Sequence, residues 1–401
     1  MSPFLSSVDA VVAGGGPAGL SAAAEIARGR HRVVVLECNH EIGSPIRTSG
    51  GSFVDELEAL NIPPSLFHTI SQIRFVSPNN SVAFTYDRPK LCILDVRGVF
   101  QYLAERAIGA GAQILLSTSA EGILRHGESM AGVRTSKGTV QSRVVIDATG
   151  YRSALLKQAG LDPGFRRFGV GAEYDLFAPR CDPQEALLLM GNKWAPSGYA
   201  WVFPWGRQRV RVGVGVIHPD SRANPNEYLD KLMRQLPELG VNFTGAQPVE
   251  HHSGLIPSEC FLEQAAENGI MGVGDAAGHA SSLLGEGIRW AIQAGRMAGR
   301  VVSNALDAND VSIKQLARFQ QEWAAQHGNN LRIAHRLNQR IAQWSDEKWD
   351  QRLEFLRLLT ADQLIEVLKT NLTGKWLTGL LTRSPLALGH ALKLFATGAL
   401  R

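Results

Sequence analysis

Three groups of residues in this chain are spaced for chemistry. Gly14-Gly15-Gly16-Pro17-Ala18-Gly19 reads as G-x-G-x-x-G. Gly14 permits the tight bend, Gly16 lets the backbone approach a pyrophosphate, and Gly19 lets the following helix pack closely. Far along the chain, Gly274-Asp275-Ala276-Ala277-Gly278 is followed by Gly285-Glu286-Gly287-Ile288. An acid in that position can bind a ribityl hydroxyl. A helix beginning near Gly287 would direct its amides at the flavin pyrimidine oxygens, where charge accumulates on reduction. The first group alone implies a dinucleotide; the pair, in this order, implies FAD held from both ends. The third group is Tyr199, Trp201, Phe203 and Trp205, which alternate and so share one face of a strand. That face either walls a large apolar pocket beside the flavin or reflects the preference of aromatic residues for strands and cores.

The elements that must position these groups are legible in the pattern. Residues 8–13 form a short apolar run suited to a buried parallel strand. An alanine-rich helix over residues 18–28 follows and aims its N-terminal amides at the phosphates. A second strand, 31–36, ends in Glu37, whose carboxylate can accept from ribose hydroxyls and disfavours a 2′-phosphate, so FAD or NAD fits better than NADP. Residues 47–51, with Arg47, Thr48, Ser49 and Gly51, are either a segment running beside the isoalloxazine or an ordinary polar loop. Arg97 follows Asp95 at the start of a helix over 97–111. It can reach a pyrophosphate, or it is a solvated helix-start arginine. Further strands are expected at 113–117, 140–147 and 269–273, the second ending in Asp147-Ala148-Thr149-Gly150 near the nucleotide.

Between residues 161 and 262 the pattern changes. Val210, Val212, Val214 and Val216 alternate with Arg209, Arg211, Gly213 and Gly215, a strand with two unlike faces in a mostly antiparallel sheet. The chain then turns helical. Ile313, Leu316, Phe319 and Trp323 share a face, as do Leu337, Ile341 and Trp344, and Thr360 with Gln363 is spaced for a capping box. The fold class is therefore α/β: a Rossmann-like FAD-binding domain (1–70, 94–163, 264–305), an inserted antiparallel-sheet substrate domain (71–93, 164–263) and a helical C-terminal region (306–401).

Composition fits this reading. A chain of 401 residues, 44% hydrophobic, suits two domains with a large core. Cys38, Cys92, Cys181 and Cys260 have no zinc-like or C-x-x-C spacing, which points to reduced thiols and a cytoplasmic protein. A net charge of +4 is too small to argue for nucleic acid. No secretory leader and no apolar run of transmembrane length is apparent. Residues 371–401 carry Lys375, Arg383, Lys393 and Arg401, no acid, and many leucines. They imply either reversible contact with an anionic membrane or leucines that cap the substrate domain.

These motifs resemble the geranylgeranyl reductase family, within the flavoproteins of the p-hydroxybenzoate hydroxylase fold. Residues 14–19 with Glu37, and residues 274–278 with 285–288, are shared by the whole class. Tyr199-Ala200-Trp201-Val202-Phe203-Pro204 is similar to the family's Y-x-W-x-F-P segment, which lines the substrate pocket there. The resemblance spans about residues 8–300. It implies non-covalent FAD, reduced by an external donor, which in turn reduces carbon–carbon double bonds of an isoprenoid. By position, Ala18, Glu37, Thr48, Ser49, Gly51, Arg97, Ala120, Asp275, Gly287 and Ile288 match the family's flavin contacts. Many members carry a Cys-Gly step beside the flavin; here it is Ser49-Gly50, which excludes a cysteine role at that position. The proline that precedes Gly-Glu-Gly in the family is replaced by the 281–284 stretch.

The leading expectation is an FAD-dependent reductase of a bulky apolar substrate, the protein orienting the alkene and stabilising the reduced cofactor. Tyr199 or water would supply the proton. The alternatives are a flavin monooxygenase on the same fold and a non-catalytic FAD-binding redox module. A halogenase fits less well, because no lysine-centred segment accompanies the tryptophan motif. No second glycine fingerprint is followed by strand and acid, so the electron donor is expected to be transiently bound NAD(P)H or a ferredoxin.

Overall fold

The computed structural model describes residues 7–127, 129–161, 164–206 and 208–371. The first sheet runs in the order Ala266–Glu267, Ile270–Gly272, Gly138–Asp147, Ser7–Ala13, Val33–Leu36, Gln113–Leu115. All neighbours from Ile270–Gly272 onward pair in parallel. A hairpin of Ala120–His126 and Ser129–Thr135 extends Gly138–Asp147 on the other side of its length. Strands covered on both faces must be apolar throughout, and Val33–Leu36 is buried at every position. It begins two residues later than expected because Arg30 turns the chain at φ 65°.

Helices Pro17–Arg28 and Ile288–Asp307 pack backbone to backbone over this sheet. A Cβ on Gly295 would lie 2.2 Å from the Ala18 carbonyl oxygen, and one on Gly299 would lie 2.5 Å from that of Ala22. The small residues of both helices thus allow the approach that brings the two glycine-rich motifs together. The helix of residues 96–109 is capped by Asp95, whose side chain accepts from the Gly98 amide at 3.0 Å. Arg97 therefore lies within the first turn.

A larger sheet stands beside the first: Gln247–Pro257, Phe168–Phe177, Arg209–His218, Tyr199–Pro204, Glu185–Met190, Gln72–Val76, Ser81–Thr85. Only the Glu185–Met190 and Gln72–Val76 pair is parallel. Alternation dictates its two faces. Val210, Val212, Val214 and Val216 are buried under helix Pro225–Gln235 together with Leu229 and Leu232. The opposite face carries the residues between those valines and turns toward the nucleotide half. A small sheet of Gly51–Phe53, Leu91–Leu94 and Phe67–Ile70 joins the two halves.

The chain finishes in helices. Leu316, Phe319 and Trp323 are fully buried as the spacing predicts, but Ile313, the first residue of its helix, is 39% exposed. Helices Asp346–Leu356 and Ala361–Leu368 cover the end of the larger sheet. Asp350 ties the first of them down by accepting from Ser77 Oγ (2.6 Å) and the Asn79 amide (3.0 Å). Thr360 and Gln363 form the expected capping box. The stretch 371–401 lies, Asn371 apart, outside the described residues.

Candidate active site

The nucleotide end of the site is built from glycine geometry. Gly14 has φ 115°, and a Cβ there would strike the Ala148 carbonyl at 2.2 Å. Gly19 could carry no side chain either, since its Cβ would meet the Gly14 oxygen at 2.1 Å. Open space lies where a Gly16 side chain would point. Glu37 is held at the end of its strand: one oxygen accepts from the Gly15 amide (2.9 Å), the other from the Asn39 amide (2.8 Å) and side chain (2.7 Å). The second motif arrives against the first, a Gly274 Cβ falling 2.7 Å from the Ala18 methyl. His279, fully buried, accepts from the Gly274 amide through Nδ1 at 3.1 Å. Burial, foremost, depresses its pKa to about 3, so the ring is neutral and can accept.

FAD fits what these residues leave unsatisfied. The helix of residues 17–28 and the twenty-residue helix Ile288–Asp307 both start at a glycine without a side-chain cap, and both starts face the cavity. Their free amides suit the pyrophosphate and the pyrimidine carbonyls. Among the described residues no hydrogen bond reaches the Asp275 carboxylate, and desolvation lifts its pKa to about 6. It lacks a hydroxyl donor, which a ribityl chain supplies.

The other end of the cavity is one face of the larger sheet. Across adjacent strands, His252, Glu173, Gly213 and Trp201 are register partners. Glu250, Asp175, Arg211 and Phe203 form the next row on one side, and Gly254, Gly171, Gly215 and Tyr199 the next on the other. The glycines serve close approaches. A Cβ on Gly254 would meet the Arg47 carbonyl at 2.2 Å, so residues 47–49 lie directly on the sheet. A Cβ on Gly213 would lie 2.2 Å from the Trp201 ring, so the indole lies flat over it and reaches Glu173 with Nε1 at 2.7 Å. Arg211, with no exposed surface, donates to the carbonyls of Ser49 (2.7 Å) and Leu94 (2.9 Å) and pins the 47–51 segment to the sheet.

These parts enclose a cavity of about 1040 Å³ that runs from the Gly14 turn past Trp201 to the C-terminal helices. It reaches the upper end of the range for a single drug-sized ligand. Its far wall is mostly apolar, with Leu337, Ile341, Trp344, Trp349 and Leu353 joined by Asn338 and Arg352. Of the residues anticipated from sequence, Gly14, Gly16, Ala18, Glu37, Arg47, Thr48, Ser49, Ala120, Gly274, Asp275, Gly287, Ile288, Tyr199 and Trp201 line it. Gly19, Gly51 and Phe203 stand behind the wall, and Arg97, outside the cavity, has a half-exposed side chain 3.8 Å from Glu41. Gly51 and Phe203 pack on each other, and Arg97 lies against Gly43 with its Nε buried and unpartnered. Sequence reasoning missed Glu173, His252 and Arg211. The alternating glycines of 169–171 and 213–215 were the available signal, since glycine within a strand marks a close approach.

A Rossmann-type half, uncapped helix starts facing a cavity and an aromatic-walled chamber together define a flavoprotein oxidoreductase. Residues 9–165 match the family model for FAD dependent oxidoreductases, and residues 168–254 match that for the geranylgeranyl reductase catalytic domain. A digeranylgeranylglycerophospholipid reductase of Methanothermobacter thermautotrophicus is 32% identical over 91% of this chain and 94% of its own length. One from Methanocaldococcus jannaschii is 30% identical over 87% and 90%. A geranylgeranyl bacteriochlorophyll reductase-like protein of Thermoplasma acidophilum superposes with a TM-score of 0.85 at 22% identity, covering 98% of this chain and all of that one. A flavin-dependent brominase shares the fold at a TM-score of 0.67 and 18% identity, over 91% of this chain and 94% of its own. The chain belongs to the geranylgeranyl reductase family and is an FAD-dependent oxidoreductase.

Proposed function

We propose that the protein reduces carbon–carbon double bonds of an isoprenoid chain carried on a lipid. The observation that carries the reading is a single cavity with a flavin-binding end and a long apolar end closed by helices Asp346–Leu356 and Ala361–Leu368. Relatives across nearly the whole chain are named for reducing a digeranylgeranylglycerophospholipid. When bound and reduced by an external donor, the flavin would supply the hydride. The chain's own part is to hold the alkene against Trp201 and Tyr199, to exclude water with the leucine wall, and to fix the 47–51 segment through Arg211.

The electron donor in this reading is transiently bound NAD(P)H or a ferredoxin, and the lipid is met at the membrane surface through residues 371–401. No helix of the described residues is long and apolar enough to cross a membrane, and the contact in this reading is peripheral. The test is a single turnover without oxygen. Pre-reduced protein is mixed with a geranylgeranyl lipid, flavin reoxidation is followed by absorbance, and the product is weighed. Two hydrogens gained per double bond support the reductase. No reoxidation without oxygen, and an oxygenated product with it, would replace it with the monooxygenase.

A further inference from the structure

Reducing an alkene takes a hydride at one carbon and a proton at the other, and a group on the cavity wall can deliver that proton directly. Tyr199 is badly placed to give one, because its hydroxyl already donates to the Leu284 carbonyl. Burial, foremost, also holds the Tyr199 phenol well above its ordinary range. A different group lies beside it. Glu173, 3% exposed and lining the cavity, accepts from the Trp201 indole at 2.7 Å through one oxygen and meets His252 Nδ1 at 3.1 Å through the other. His252 Nε2 lies 2.9 Å from Glu250, whose side chain is 38% exposed. Carboxylate, imidazole and carboxylate thus run in line from the cavity to water.

We propose that Glu173 is the proton donor to the alkene, recharged by His252, with Glu250 as the member of the chain that reaches solvent. The proposal rests on the reading of the protein as an alkene reductase. The balance is simple. The trio carries one proton, held by His252. It passes from Nδ1 to Glu173 and on to one alkene carbon, where the π pair forms the C–H bond, while the hydride that reduced FAD would supply forms the other. The ring, now neutral, recovers a proton from water before the next turnover. An imidazole between two carboxylates is suited to holding that proton, and the His252 pKa is raised by hydrogen bonds and charge from Glu173 and Glu250, against the larger opposing effect of burial.

The other charged and titratable groups around the trio have structural engagements. Arg211 Nε stands 4.0 Å from Glu173 and is committed to Asp175 and two carbonyls. Arg209 is paired with Asp175. Arg97 and Arg209 act on Glu250 through their charge and help keep its pKa below the usual carboxylate range. Trp201 is a positioning residue here. Its N–H selects the Glu173 rotamer, and the absence of a side chain at Gly213 makes that contact possible.

The test compares Glu173→Gln, His252→Gln and Gly213→Ala with the parent in the FAD-bound protein. Glu173→Gln keeps an acceptor for the indole, so FAD retention and the oxidised flavin spectrum are expected to stay as in the parent. Anaerobic reoxidation of the reduced variant by a geranylgeranyl lipid is expected to slow by roughly 100-fold, the lower end of the effect of a positioned general acid, while reoxidation by oxygen is unchanged. The parent rate should fall at alkaline pH as the trio loses its proton, and His252→Gln should lack that limb. Gly213→Ala displaces the indole and should weaken lipid binding while keeping the limb. Without turnover, ¹⁵N-histidine NMR should show His252 of the parent as an imidazolium above the ordinary histidine pKa of about 6.5, and lower in Glu173→Gln. Glu173→Gln and His252→Gln rates within threefold of the parent with the same pH profile, or a ring neutral from pH 5 upward, overturn the proposal. A parent protein that reduces no prenyl double bond overturns the reductase reading instead, whatever the NMR titration gives.

Discussion

Replacing Arg211 with Met should unfasten the flavin-facing segment from the substrate sheet, and the structure allows the effect to be sized. Arg211 is wholly buried, yet it serves Ser49 O at 2.7 Å, Leu94 O at 2.9 Å and Asp175 Oδ2 at 3.4 Å, and it lies 4.5 Å from the Trp205 ring centroid. Methionine preserves most of the packing and removes the charge. Asp175 is not orphaned, because Arg209 (2.9 Å) and the Trp205 indole (3.1 Å) still donate to it. The two carbonyls each lose a charged donor, at about 1–3 kcal/mol apiece for an unsatisfied buried group. That gives about 2–6 kcal/mol, in line with the 3–5 kcal/mol typical of removing one partner from a buried ionic network. At roughly 2 °C per kcal/mol for a large domain, thermal unfolding should come about 4–12 °C earlier. FAD should be lost more readily on dialysis, because Ser49 and its neighbours line the flavin end. Arg211→Lys should give little rescue, since an ammonium cannot span two carbonyls and a carboxylate in the fixed guanidinium geometry. Scanning fluorimetry with FAD fluorescence as a second channel reads both effects. A variant that melts within 1 °C of the parent and keeps its FAD would refute the assignment of Arg211 as the pin.

Three further outcomes follow from charge and burial. Asp275 has its pKa raised to about 6 by desolvation, and hydroxyl donors on FAD favour its ionised form, so FAD binding below that pH should release a proton and tighten as pH rises from 5 to 7. Calorimetry in buffers of different ionisation heat measures the proton, and Asp275→Asn should abolish it. His279 is held down at about 3 against 6.5 when unfolded, mainly by burial. The unfolded chain therefore binds the extra proton, so this contribution to stability is complete above pH 6.5 and is lost toward pH 3, at about 1.4 kcal/mol per pH unit. Denaturant titrations from pH 7 to 4 should show a slope that His279→Asn flattens. Finally, the four cations and no acids of residues 371–401 should bind the protein to anionic vesicles at about 1 kcal/mol per cation near the surface. Sedimentation should show that binding weakening with salt and vanishing on deletion of 371–401; full-length protein that ignores such vesicles at low salt would end the idea.

What was legible in the sequence was whatever local geometry demands. A turn that only glycine can make, as at Gly14 and Gly274, writes itself into the chain. So do a carboxylate at the end of a strand (Glu37) and the period-two alternation of the Val210–Val216 strand. From these came the flavin, the doubly wound half and the inserted antiparallel sheet. The aromatic residues 199–205 were visible too, but strand spacing alone does not say whether such a face meets a core or a cavity. It proves to do both, Trp201 lining the cavity and Phe203 packing behind it on Gly51.

The register of the larger sheet is what the sequence left open. Glu173, Trp201, Gly213 and His252 are unremarkable one by one and far apart along the chain. They become one row only when four strands pair with these residues opposite each other. A shift of one residue in any pair would send its partner to the valine face. The same holds for Arg211, which reads as one basic residue in an alternating strand until folding seals it beneath Ser49 and Leu94. The apolar end of the cavity is likewise a tertiary product. Helices 346–356 and 361–368 carry leucines that would suit any core, and Asp350 on Ser77 and Asn79 helps fix them where they close a chamber instead. Short-range sterics and periodicity thus determined the cofactor and the architecture. Strand register and helix docking, which depend on contacts between distant residues, decided the apolar chamber and the row of Glu173, Trp201, Gly213 and His252 on its wall.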